Sequence, residues 1–292
     1  MGNLKIMIAG VGISFKKGRL AFRLWAVNLL FSLFAVGPFF FLMMKHMSHS
    51  FSGERMLHKL DIFWLGDFIY RYMNVAPTVF GSMLLAIALY LLLTVFLNGG
   101  VIGCLNRPGG KTTLADFFQD CGLHFWSLLR LFLASIPVYL VFVGIGFSLI
   151  KALLEIIDRR APTEWLALIV SNLRLLALVL LLTVVSMFFD YVKIGLVANG
   201  RKKVWQEIKR TARFLGRRFF SAWSLFLLAG LVLVALMFLY LEVARILPKD
   251  RPLWLLLVFL WQQFHILCRQ WSKVLFYATE LKFSRENMKE TG

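Results

Sequence analysis

Residues 165–198 read WLALIVSNLRLLALVLLLTVVSMFFDYVKIGLVA. From 165 to 189 the only charge is Arg174. A helix of about 20 such residues crosses the ~30 Å hydrocarbon core of a bilayer. In that core the backbone must satisfy its own hydrogen bonds, which leaves a helix or a closed barrel. The run is too continuous for the alternation of a barrel strand. Asp190 and Lys193 mark where it re-enters a polar environment.

Comparable runs occur at about 20–44, 77–97, 128–150, 222–243 and 253–278. Together they predict an all-α, polytopic bundle of six transmembrane helices in a single domain, 1–292. Composition agrees. The 292 residues are 60% hydrophobic and 16% charged, with mean hydropathy +0.75. Soluble chains average about 45–50% apolar and about 25% charged. A soluble enzyme, a disordered tail and a collagen-like fibre are excluded. The first run does not read as a cleaved signal. Phe39-Phe40-Phe41 stands where small residues are needed. Ile6 stands where myristoylation needs Ser or Thr.

The net charge is +18. Lys and Arg favour cytoplasmic flanks. With the N-terminus inside, 22 of the 33 basic residues fall on the inner side. They occupy the N-terminal flank, the connections after the second and fourth spans, and the C-terminal flank. Both termini are therefore expected in the cytoplasm. The densest group is Arg201, Lys202, Lys203, Lys209, Arg210, Arg213, Arg217 and Arg218. Beside a membrane such a cluster reads as contact with anionic lipid, not nucleic acid.

The spans show internal similarity. A shift of 80 aligns Lys193 with Lys273 and Ala198 with Ala278. A shift of 92 aligns Ile102-Gly103 with Ile194-Gly195. Three helix-hairpin repeats are the expectation drawn from this. Amphipathic interfacial helices should precede the odd-numbered spans. One begins at Thr113 and Asp116, spaced as a capping box, with Leu114, Phe117, Phe118, Cys121 and Phe125 at helical spacing. Another carries Val204, Ile208, Ala212 and Leu215 as its apolar stripe. Residues 4–15 fit the same role before the first span.

Catalytic patterns are absent from the text. There is no G-x-S-x-G, P-loop, G-x-G-x-x-G or HExxH. Cys104, Cys121 and Cys268 make no disulfide framework. His46 and His49 are three apart but lack further ligands. Asp61 and Asp67 do not share a helix face. No catalytic residue, metal or cofactor is assigned.

The most informative feature is in the sixth run. Gln262, His265, Arg269 and Lys273 lie on one helical face. Ionisable groups at membrane depth face a bundle interior or a wet cavity. Asp190 is the expected counter-charge, level with Arg269. Two readings stand. One is a positively charged cavity for an anionic ligand such as a lipid head group. The other is a structural network in which Arg269 snorkels and pairs with Asp190.

Three stretches carry a resemblance: Gly18-Arg19-Leu20; Asn98-Gly99-Gly100-Val101-Ile102-Gly103 with Leu114-Ala115-Asp116-Phe117-Phe118; and Asp190-Tyr191-Val192-Lys193-Ile194. The chain resembles uncharacterised bacterial six-span membrane proteins. It is similar to the membrane domain fused to some glycerophosphodiester phosphodiesterases. That likeness implies a bacterial inner membrane and a link to lipids. The hydrolase domain of those fusions has no counterpart here, so it implies no catalytic residue. The expected function is binding or transport of an amphipathic, anionic, lipid-like ligand, with membrane lipids as partners. The alternative is a membrane scaffold whose basic inner surface docks a protein partner or anionic lipid.

Overall fold

A computed structural model describes residues 2–47, 66, 70, 76–107, 112–158, 164–200, 203–248 and 252–288. Among these residues there are seven helices and no strand. They are α1 (Asn3–Lys16), α2 (Gly18–Met47), α3 (Ala76–Asn106), α4 (Leu114–Asp158), α5 (Glu164–Ala198), α6 (Val204–Ile246) and α7 (Pro252–Met288).

Five helices, α2 to α6, are long and apolar enough to cross a membrane. At most 17% of any of their apolar windows is buried by the protein itself. Phe34, Leu140 and Phe238 are among the large side chains left exposed. A water-soluble protein rarely exposes a contiguous apolar patch beyond a few hundred Å². Lipid is the solvent such surfaces fit, so the chain has the build of a multi-pass membrane protein. The helix α7 is not among the five. Gln262, Gln263, His265, Arg269 and Gln270 dilute its apolar run.

Two compact units are present, Met1–Phe22 with Val95–Gly292, and Arg23–Thr94. In the second, the rings of Phe31 (α2) and Tyr90 (α3) lie 5.6 Å apart. Asn28 Nδ2 donates to the Leu24 carbonyl at 2.8 Å.

The first unit is held at one end by a core drawn from four helices. Ile6 and Met7 of α1 meet Met187 and Tyr191 of α5, Leu215 and Leu225 of α6, and Leu275 and Phe283 of α7. The rings of Tyr191, Phe214 and Phe283 form a triangle with every centroid separation 6.1 Å. Such edge-on and tilted contacts suit the aromatic quadrupole. Polar bonds also join helices. Trp223 Nε1 donates to Thr183 Oγ1 at 3.2 Å. Tyr139 and Ser186 hydroxyls meet at 3.2 Å. Asn3 Nδ2 donates to Ser224 Oγ at 2.6 Å.

The segments expected to lie before the spans are helical, and two of them continue into the spans. The helices α4 and α6 have 45 and 43 residues. At 1.5 Å per residue each is about 65 Å long, roughly twice the hydrocarbon core. In α6 the join is marked at Arg218, whose φ of −133° and ψ of 30° leave helical geometry. The capping box of α4 is formed. Asp116 Oδ2 accepts from Thr113 N at 2.9 Å, and Asp116 N donates to Thr113 Oγ1 at 3.1 Å. The stripe expected on α6 is off-centre. Ala212 is exposed, and the buried line runs through Glu207, Thr211 and Leu215. Tertiary packing outweighs the small apolar gain available from one alanine.

Close backbone approach ties these segments to the preceding helix ends. A Cβ on Gly103 of α3 would stand 2.7 Å from the side chain of Asp120. A Cβ on Gly195 of α5 would stand 2.9 Å from Cδ of Glu207. Forcing volume into such contacts costs about 1–3 kcal/mol. Thermal unfolding in detergent should show that loss for Gly103→Leu and for Gly195→Leu. Gly12→Ala, with open space around it inside α1, should lose nothing and gain up to about 1 kcal/mol.

Candidate functional site

The terminal turns of α5 and α7 bring a polar cluster together. On α7, residues 265, 269, 273, 277 and 280 fall within about 120° of the helix circumference at 100° per residue. The helix α5 supplies Asp190, Tyr191 and Lys193. Lys193 Nζ donates to Asp190 Oδ1 at 2.7 Å, an i, i+3 pair on one helix. The two side chains are 28% and 18% exposed, so the pair is screened only in part. Tyr139 and Tyr277 lie within electrostatic reach of Lys193.

Lys273 is half-buried. The charges acting on it are Lys193, Asp190 and Arg269. The acid among them, Asp190, is already bonded to Lys193. Arg269 is exposed and, among the described residues, forms no ion pair with Asp190. This corrects the expected Asp190–Arg269 pairing. An acid three residues from a lysine on the same helix meets it without crossing to another helix.

The stripe expected on α7 divides along its length. Gln262 and Arg269 are exposed. His265 stacks on Tyr240 of α6, with centroids 4.3 Å apart and planes at 27°. From Lys273 onward the face turns toward α5.

Glu280 continues that inward face and is 1% exposed. Among the described residues neither of its carboxylate oxygens has a hydrogen-bond partner. Burial raises its pKa well above the ordinary glutamate value, and the negative charge of Asp190 adds to the rise while Lys193 opposes it. The Tyr191 hydroxyl is likewise buried, with no partner among the described residues. Sequence reading missed Lys193, Tyr277 and Glu280 as site residues. The alignment of Lys193 with Lys273 was the available signal for the first. Glu280 lies in a charged tail that reads as solvent-facing.

A second polar arrangement closes the end of α3. Arg107 forks onto Asp116 Oδ1 at 2.8 Å and Asp120 Oδ1 at 2.7 Å. Lys17 Nζ donates to the Cys104 carbonyl. Arg285 Nη2 donates to the Asn106 carbonyl at 2.6 Å and to its Oδ1 at 2.7 Å. Cations satisfy the orphan carbonyls there and complement the helix dipole. Burial lowers the pKa of Lys17 from its ordinary value, with nearby Arg285 adding to the effect and Cys104 opposing it. These groups are fully engaged in holding the fold.

Of the basic cluster, Arg201 and Lys202 lie outside the described residues. Lys203, Lys209, Arg213, Arg217 and Arg218 are exposed, and Arg210 is half-buried. Trp205 and Phe220 are exposed on the same helix, α6. His49, Asp61 and Asp67 also lie outside the described residues.

Double-mutant cycles test the pairing in this cluster. Lys193→Met should destabilise by about 1–3 kcal/mol, since it strands a partly buried carboxylate. Asp190→Asn added to it should recover much of that loss. A cycle between Asp190 and Arg269 should give a coupling near zero. Unfolding in mixed micelles measures both. Comparison of the chain with known protein families, curated proteins and solved structures gave no match.

Proposed function

We propose that this protein crosses a bacterial inner membrane six times, with both termini cytoplasmic. In this reading it holds an anionic, lipid-like amphiphile at the inner ends of α5 and α7, without catalysis of its own. The carrying observation is that Arg269 and Lys273 lie within reach of each other while Asp190 is bonded to Lys193. Two neighbouring cations without a carboxylate repel, and a phosphate-bearing head group relieves that repulsion. The partly exposed Arg269 and the half-buried Lys273 set a wet and a dry end for such a ligand. His265 and Gln262 extend the polar face toward its acyl chains.

The sixth crossing rests on α7. Leu253, Leu256, Phe259 and Leu260 are exposed on its first turns, as lipid-facing side chains would be. The even-numbered spans would end in the basic flanks, as the positive-inside rule requires. The likeness to membrane domains linked with glycerophosphodiester hydrolysis points to the same lipid setting. Three helix-hairpin repeats fit the two close approaches, Gly103 beneath Asp120 and Gly195 beneath Glu207.

A second reading has its own support. Lys203, Lys209, Arg213 and Arg217 are exposed on α6 together with Trp205 and Phe220. Basic and aromatic side chains on one interfacial helix fit anionic lipid, at about 1 kcal/mol per basic residue near the surface. A scaffold using that surface would depend on α6 more than on α7.

Native mass spectrometry of protein extracted gently from its membrane separates the two. The unaltered chain should retain a discrete lipid-sized mass. A folded Arg269→Ala/Lys273→Ala variant should lose it, whereas Lys209→Ala/Arg213→Ala should keep it. Equal retention by all three would overturn the α7 site. Topology is tested by an impermeant thiol reagent added from outside. A cysteine at position 160 should label, and one at position 203 should not.

A further inference from the structure

We infer that Glu280 is a proton-binding site that decides whether Lys273 is open to an anion. The inference rests on the proposed anion site and adds the ion that controls it. Glu280 is buried, and its two oxygens have no partner among the described residues. A buried carboxylate without donors is costly, and the neutral acid is the form that fits. The described charges acting on Glu280 are Asp190 and Lys193 of α5. Tyr191 of α5 and Tyr277 of α7 also face it. The helices α1 and α6, which pack on α7 as well, add no charge to that described set.

Two arrangements follow from one lysine and two carboxyls. With Glu280 protonated, Lys193 bonds Asp190, as observed. Lys273 then lacks a carboxylate and takes the anion. When Glu280 gives its proton to water, its new charge draws Lys193 toward it. Asp190 is released and becomes the partner of Lys273, on which its charge already acts. The anion loses its seat. The partly exposed Asp190–Lys193 pair provides the contact with water that Glu280 itself lacks. One proton and one anionic head group therefore bind together, which is the linkage a proton-coupled carrier needs.

The test uses the full chain in detergent and dihexanoyl phosphatidylglycerol, whose phosphodiester keeps one negative charge from pH 6 to pH 9. Calorimetry is run in a Lys273→Arg background, whose guanidinium stays charged from pH 6 to pH 9, and should show binding at least tenfold weaker at pH 9 than at pH 6. Glu280→Gln, a mimic of the neutral acid, should bind tightly at both. Lys193→Gln should bind weakly at both, since Asp190 is then free for the cation at position 273 throughout. Infrared difference spectra between the two pH values should contain a protonated-carboxyl band that Glu280→Gln removes. Binding independent of pH, or a pH dependence that survives Glu280→Gln, would overturn the coupling. If no lipid binds at pH 6 but the Glu280 band titrates, the proton site stands and the anion reading falls. Absence of the band overturns the proton site itself.

Discussion

Close approach of helix backbones at the ends of the apolar runs is the constraint on which the first unit rests. Lipid offers apolar helices little reason to choose one another. Packing density and polar contacts must choose for them. Gly103 and Gly195 admit the side chains of Asp120 and Glu207 over their helix ends. Gly10 of α1 does the same for Thr279 of α7, whose Cα would stand 3.1 Å from an added Cβ. Around these contacts the free carbonyls of α3 are met by Lys17 and Arg285. The buried line of α6 and the triangle of Tyr191, Phe214 and Phe283 then fill the space the close approach leaves.

The same end of the molecule carries the unusual chemistry, and for a related reason. Side chains past a span can be polar, because water is near. Those packed beneath a neighbouring helix are nonetheless removed from it. Glu280 and Tyr191 are in that position, buried and with no partner among the described residues. Charged groups in such a place perturb one another strongly. Lys193 and Asp190 are bonded, and the neighbouring Lys273 feels both.

The helices were legible because hydrophobicity over about 20 residues is a strong, local signal. So was the cap at Thr113 and Asp116, which needs only four residues of text. The membrane character of 253–278 was less so, because glutamines and a histidine interrupt it. The stripe of α6 was misplaced by one face, since Ala212 offers too little area to decide which side packs. Asp190 was matched with Arg269 by depth across two helices, but a lysine one turn away on its own helix bonds it. Glu280 stands among Lys282, Arg285 and Glu286. Its burial comes from helices distant in sequence, contacts that no local pattern records. The inward groups were therefore hidden, while the shared helix face of Gln262, His265 and Arg269 follows from spacing alone.

The contact of Gly10 with Thr279 also sets an order of events during synthesis. The helix α1 leaves the ribosome before α7, yet the face carrying Ile6, Met7 and Gly10 packs in part on residues of α7 that are translated much later. At about 5–20 residues per second, the wait is on the order of ten seconds to a minute. During that time α1 lacks the helix that covers its Gly10 face. The membrane surface is the available resting place for such a helix. Assembly of this end is thus a closing step, taken after the intervening helices have been translated.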